Sequence, residues 1–122
     1  MESILIVDDD INLCTVLKEE LIEVGYEVDF VNNGDDAFEF LDTHNNTDLI
    51  LLDLKMPGKD GFEVLQEMEQ KGIEKKVIVL TAYADVKSAI DSAKLGANDF
   101  ISKPYDFDEL LITIRKVLQR EN

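Results

Sequence analysis

The chain alternates short, continuously apolar runs with longer amphipathic stretches. Five runs rich in β-branched residues read as strands: Ser3–Val7, Glu27–Val31, Asp48–Asp53, Lys76–Thr81 and Asp99–Ser102. Five stretches between and after them carry helical spacing: Ile11–Val24, Gly34–Leu41, Gly61–Gln70, Asp85–Leu95 and Asp106–Arg120. The punctuation agrees. Gly25 and Gly96 stand just past two helices, where a left-handed residue closes the last turn. Asp85 and Asp106 stand where an N-cap carboxylate accepts from a free helical amide. The runs ILIV, LILL and VIVL show no polar alternation, so these strands are covered on both faces. Five βα units in this order imply one parallel sheet with helices on both sides. Such sheets take two common doubly wound orders, one of them 2-1-3-4-5. In that order the first and third strands are neighbours and a crevice opens at their carboxyl ends.

Length and charge narrow the picture. The 122 residues suit one domain, and residues 1–122 are read as one. Hydrophobic residues make up 45%, which excludes a disordered chain. Twelve basic residues against 27 acidic ones leave a net charge of −15, a balance that repels nucleic-acid phosphates and attracts cations and basic partner surfaces. Direct nucleic-acid binding is therefore not expected. The one cysteine, Cys14, allows no internal disulfide and reads as a small core residue. The first apolar run is too short for a signal peptide, and no segment approaches the roughly 20 apolar residues of a membrane span. A cytoplasmic location, with no membrane contact, is expected.

The strand ends carry the chemistry. Asp8 and Asp9 follow the first strand, Asp53 closes the third in LILLDLKMPGKDG, Thr81 closes the fourth in VIVLTAY, and Lys103–Pro104 follow the fifth in FISKPY. Neighbouring strands lie about 4.8 Å apart. If the third strand lies between the first and fourth, three carboxylates share one small pocket with a hydroxyl and an ammonium. Each residue alone has a plain explanation: a helix cap, a loop acid, a hydroxyl satisfying backbone, a solvated lysine. Asp10 itself reads as a helix-start acid favoured by the helix dipole. The plain explanations do poorly together, because the same polar set recurs on the edge where open α/β sheets bind ligands. Three carboxylates and one lysine leave a charge of about −2 at neutral pH. Hard oxygen donors of that charge suit Mg²⁺. A carboxylate beside Mg²⁺ can attack phosphorus and form an acyl phosphate, with the ion, Lys103 and Thr81 neutralising and positioning the phosphoryl group.

The segments ILIVDDD, LLDLKMPGKDG, LTAY, LGANDF and KPYDFDEL, in this order and spacing, resemble the receiver domain of two-component response regulators of the chemotaxis-regulator and sporulation-phosphorelay type. The resemblance covers essentially the whole chain. It implies a flavodoxin-like (βα)5 fold, a doubly wound parallel sheet with strand order 2-1-3-4-5, and phosphorylation by a histidine kinase or histidine phosphotransfer protein. It implies that Asp53 is the phosphoacceptor, that Asp9 binds Mg²⁺ directly and Asp8 mainly through water, and that the Lys55 carbonyl completes the protein ligands. Thr81 would hydrogen-bond the phosphoryl group, Phe100 would turn inward when Thr81 moves, and Lys103 would pair with phosphoryl oxygens across a cis bond to Pro104. Lys55 and Tyr83 fall at the two positions that tune hydrolysis. Neither is suited to orient a water, so slow phosphate loss is expected. The protein would catalyse only its own phosphorylation and dephosphorylation.

Rival readings fit less well. A haloacid-dehalogenase-type phosphatase needs a second Asp two residues past the nucleophile, where Lys55 stands. A flavodoxin needs a Ser/Thr/Gly phosphate loop where this chain has DDD. No G-x-G-x-x-G is present, and Lys55 and Pro57 occupy ligand positions of an EF-hand. Three settings stay open for the receiver reading. The chain is a stand-alone phosphate carrier, a regulator that binds a target when phosphorylated (a phosphorylation-dependent dimer included), or the N-terminal receiver of a longer transcription factor with an attached output domain. The stretch DVKSAIDSAKLGANDFISKPYDFDELL resembles receivers joined to ATP-dependent transcription activators. Outside the site, His44 reads as a solvated loop residue, Pro57, Gly58 and Gly61 as shaping the loop after Asp53, and Tyr105 as part of a partner surface rather than a packing residue.

Overall fold

The computed structural model describes residues 1–120. Strands β1 (Ser3–Val7), β2 (Glu27–Val31), β3 (Leu49–Leu52), β4 (Lys76–Thr81) and β5 (Asp99–Ser102) alternate with helices α1 (Ile11–Glu23), α2 (Gly34–Thr43), α3 (Gly61–Lys71), α4 (Val86–Lys94) and α5 (Phe107–Gln119). The strands pair in parallel in the order β2-β1-β3-β4-β5. This is the flavodoxin-like doubly wound sheet, with the chain changing direction between β1 and β3.

Side chains alternate across a strand, so each central strand feeds two cores. Ile4 and Ile6 join Leu49, Leu51, Ile78 and Leu80 under α1 and α5, where Cys14, Leu17, Leu21, Leu110, Ile114 and Val117 close the layer. Leu5 and Val7 join Ile50, Leu52 and Val77 on the other face, against Phe38, Leu41, Val64, Leu65 and Met68 of α2 and α3. Burying one Leu or Ile side chain stabilises by about 1.5–3 kcal/mol. The three central strands are therefore firmly held, and so are the residues that follow them. Helix α4 is the exception. Ser92 is its one buried residue, while Val86 and Ile90 face solvent.

Element limits follow the local chemistry. Asp106, Asp85, Asp60, Asn33 and Asp10 each accept from an amide of the first helical turn and so set five helix starts. Gly25 and Gly96 take φ of 105° and 104°, as their places past α1 and α4 require. Helix α2 runs two residues beyond its expected end at Leu41. Nothing at Asp42 or Thr43 stops it, and the Thr43 hydroxyl donates back to the Phe40 carbonyl at 3.2 Å. His44 caps that helix, exposed, with its ring stacked 4.0 Å from Phe40. Asp48 and Asp53 lie just outside β3, yet their amides still donate to Ser3 O and Val7 O of β1 at 2.9 and 3.0 Å. Among the described residues, no helix is long and apolar enough to cross a membrane.

Candidate functional site

Strands β1 and β3 end side by side, with Val7 opposite Leu52. The residue just after each strand is a carboxylate, Asp8 and Asp53, and both are buried. Asp9 is exposed beside them. One carboxylate oxygen from each of Asp8, Asp9 and Asp53 lies within 4.8 Å of the other two. Lys103 reaches in from the β5–α5 loop, with its Nζ 2.7 Å from Asp8 Oδ2 and 3.2 Å from Asp53 Oδ2. The Lys103 amide donates to the Thr81 carbonyl at 2.9 Å, which ties this loop to the end of β4. The Lys103–Pro104 bond is cis, as the resemblance implied. Thr81 is fully buried, and its Oγ1 accepts from the Tyr83 amide at 3.2 Å.

The aspartate triplet divides. Asp10 Oδ1 accepts from the Leu13 amide at 3.1 Å and caps α1, so its side chain belongs to the helix. Its backbone still serves the site, because the Asp10 amide donates to Asp8 Oδ1 at 2.9 Å. Asn32 adds another support from the end of β2, donating from Nδ2 to the Asp8 carbonyl at 2.9 Å. Sequence reasoning missed both supports. A backbone amide has no sequence signature, and an Asn beside an N-cap Asn reads as turn.

Asp53 is set by its own loop and by α3. Its Oδ1 accepts from the Lys55 amide at 3.3 Å. Gly61, at the start of α3, donates to Leu54 O at 3.0 Å, and a Cβ there would stand 2.4 Å from Asp53 O and 2.7 Å from Leu54 Cα. Only glycine lets the helix start this close to the strand end. The Lys55 Nζ stands over the Tyr83 ring, 4.6 Å from its centre. Phe100 pairs in register with Val79, is half-buried, and belongs to neither core. Tyr105, expected at a partner surface, instead packs on the α1/α5 core and donates its hydroxyl to Glu20 Oε1 at 2.6 Å.

The charges are unevenly matched. Burial raises the Asp8 carboxyl above its ordinary value, and the hydrogen bond from Lys103 only partly offsets it. Burial also pulls on the Lys103 ammonium, but its contacts with Asp8 and Asp53 outweigh that, and the net shift is upward. One lysine therefore does not neutralise this pocket. The Cys14 thiol, 3.5 Å from the Asp8 carbonyl, is pushed up to about 12 by burial and then by the nearby aspartates, so it is an inert core group. The cluster offers carboxylate oxygens only, spaced to share one ion and short of positive charge, which fits Mg²⁺ by donor chemistry.

A family model described as the response regulator receiver domain matches residues 4–115. The chain belongs to that family. Receiver domains are regulatory modules, and the chain's likenesses agree. It is 38% identical over 120 residues to the regulatory protein AtoC of Escherichia coli (strain K12), covering 98% of this chain and 26% of AtoC. The solved receiver domain of a LuxO repressor from Vibrio parahaemolyticus superposes with a TM-score of 0.91 at 33% identity, covering 98% of this chain and 91% of that one. The response regulator TrrA of Thermotoga maritima, solved in complex with Mg(2+)-BeF, superposes with a TM-score of 0.84 at 41% identity, over 96% and 99% of the two chains. This receiver domain spans between about a quarter and about half the length of the curated relatives it matches, which are regulatory proteins.

Proposed function

We propose that residues 1–122 form a Mg²⁺-dependent phosphoacceptor domain. It takes a phosphoryl group from a histidine kinase or a histidine phosphotransfer protein onto Asp53 and changes conformation in response. The observation that carries this reading is the Lys103 ammonium held between Asp8 and Asp53 beside exposed Asp9. That arrangement is an acceptor carboxylate with an acidic pair and a cation around it.

In the proposed step a carboxylate oxygen of Asp53 attacks the phosphorus of a phosphoimidazole in line. A P–O bond forms as the P–N bond breaks, and the neutralised imidazole leaves with a solvent proton. Asp9, Asp53 and the Lys55 carbonyl would hold Mg²⁺ directly and Asp8 mainly through water. The bound ion supplies charge neutralisation for the phosphoryl oxygens. Lys103 exchanges its contact with Asp53 for the new phosphoryl oxygens. The Thr81 hydroxyl turns from the Tyr83 amide and donates to the same group. Phe100 follows the β4–α4 loop inward, and the face formed by α4, β5 and α5 repacks. The thin burial of α4 supports this, since few apolar contacts oppose its movement.

The regulatory relatives favour an attached output domain as the receiver of the signal over a stand-alone carrier. The net charge of −15 argues that this domain itself does not touch nucleic acid and meets basic surfaces of its kinase. The deciding experiment is transfer of labelled phosphate from acetyl phosphate or a phosphohistidine donor with Mg²⁺ present. Wild type should take label and Asp53→Asn should take none. Equal labelling of the two removes Asp53 from the acceptor role.

A further inference from the structure

The loop that carries Lys103 is tethered unevenly. At its start the Lys103 amide bonds Thr81 O, and at its end Asp106 caps α5. Between them, no backbone–backbone hydrogen bond joins Pro104 or Tyr105 to the rest of the described chain. One long-range side-chain bond spans that gap, from the Tyr105 hydroxyl to Glu20 Oε1 at 2.6 Å across 85 residues of sequence. Glu20 sits on α1, the helix that begins directly after the Asp8–Asp9 pair, and α1 is held in the core by Cys14, Leu17 and Leu21. The Tyr105 ring packs on the same core, so the donor is placed by packing and the acceptor by the helix. The bond is short and charge-assisted, which makes it stronger and more directional than a neutral one. It ties the Lys103 loop to α1, whose first turn adjoins the Asp8–Asp9 end of β1.

We infer that Tyr105 and Glu20 form a latch that positions Lys103 over the acidic pocket, so that Tyr105 is a positioning residue for phosphoryl transfer at Asp53. The phosphoryl-transfer part rests on the function proposed above; the placement of Lys103 does not. Without the latch the loop keeps its two ends but loses the long-range side-chain bond between them. The Lys103 ammonium then samples positions away from Asp8 and Asp53.

Two readouts on Tyr105→Phe, Glu20→Ala, Glu20→Gln and the double variant test the latch. First, the metal-free proteins are labelled with limiting amine-reactive reagent and Lys103 modification is followed by mass spectrometry. Tyr105→Phe and Glu20→Ala should each raise the Lys103 rate about threefold or more over wild type, with exposed Lys87 unchanged as an internal standard. The double variant should equal either single one. Glu20→Gln, which keeps an acceptor, should stay near wild type. Second, phosphorylation by acetyl phosphate is measured against donor concentration at saturating Mg²⁺. The limiting rate should fall threefold to tenfold in Tyr105→Phe with the half-saturating donor concentration and the Mg²⁺ affinity held. A merely structural loss would move those together. Unchanged Lys103 labelling in both single variants, or strictly additive effects in the double one, overturns the latch. If wild type takes no phosphate, the proposed function fails while the labelling result still decides the latch.

Discussion

The Nζ of Lys103 stands 2.7 Å from Asp8 Oδ2, although 95 residues separate the two along the chain. Both side chains are largely buried, at 16% and 3% exposure. The contact joins the last strand's loop to the first strand's end and spans the mouth of the sheet. Asp53 shares the same ammonium at 3.2 Å, so one cation serves two carboxylates.

Removing that cation leaves buried Asp8 uncompensated. Breaking a buried pair from one side costs about 3–5 kcal/mol. Lys103→Ala should therefore lower the urea midpoint in chelator, and Mg²⁺ should restore more stability to it than to wild type. An Mg²⁺ response no larger than wild type's would refute the shared-charge account of the pocket.

Mg²⁺ should raise the thermal midpoint of the wild type by linkage. A concentration ten times the dissociation constant contributes about 1.4 kcal/mol. Asp9→Ala should abolish most of that rise with little change in the metal-free midpoint, because Asp9 is exposed and its loss leaves the core intact. Differential scanning fluorimetry with and without Mg²⁺ measures both.

Gly61 is a contact point as well as a turn residue. The Cβ of Gly61→Ala would meet Asp53 O and Leu54 Cα at distances no real Cβ tolerates, and both are backbone atoms. Overpacking of this kind costs about 1–3 kcal/mol. Equilibrium urea unfolding should show that loss, and labelling at Asp53 should slow as the strand end shifts. A neutral substitution would mean the α3 start yields freely.

Lys55 and Tyr83 stand outside the carboxylate cluster, joined by a cation–π contact at 4.6 Å. Neither carries the carboxylate or amide suited to orient a hydrolytic water. The phosphorylated protein should lose phosphate slowly, and Lys55→Asn or Tyr83→Glu should speed the loss. A decay time course after removal of the donor decides this; two unchanged rates would rule out both side chains as determinants.

The Tyr105 phenol is raised above its ordinary value by burial first and then by Glu20. The folded state therefore keeps the proton at a pH where the unfolded chain has begun to lose it. The stability this contributes is full below about pH 10 and declines as pH rises through the folded value. Urea midpoints between pH 9 and 11 should fall more steeply for wild type than for Tyr105→Phe, and parallel curves would contradict the burial of that hydroxyl.

The sequence alone determined the five βα units, because apolar runs bounded by turn and cap residues leave little freedom in element type. It also placed Asp8, Asp9, Asp53, Thr81 and Lys103 at strand ends, because strand length and side-chain period are local. Periodicity alone leaves two common strand orders open; the family resemblance implied 2-1-3-4-5, and the pairing has that order. It is the observed order, with Val7 beside Leu52, that turns separate acids into a cluster. The rest was decided by tertiary structure alone. Asp10 splits into a helix-capping side chain and a site-supporting amide, Asn32 holds the Asp8 carbonyl, and Gly61 makes room for the Asp53 backbone. Tyr105 turns to Glu20 on another element, where a local reading pointed it at a partner. Each of these depends on which atoms approach across elements. Local periodicity carries information along one strand or helix; hydrogen-bond partners and close backbone contacts between elements are settled only when the whole sheet and its helices pack.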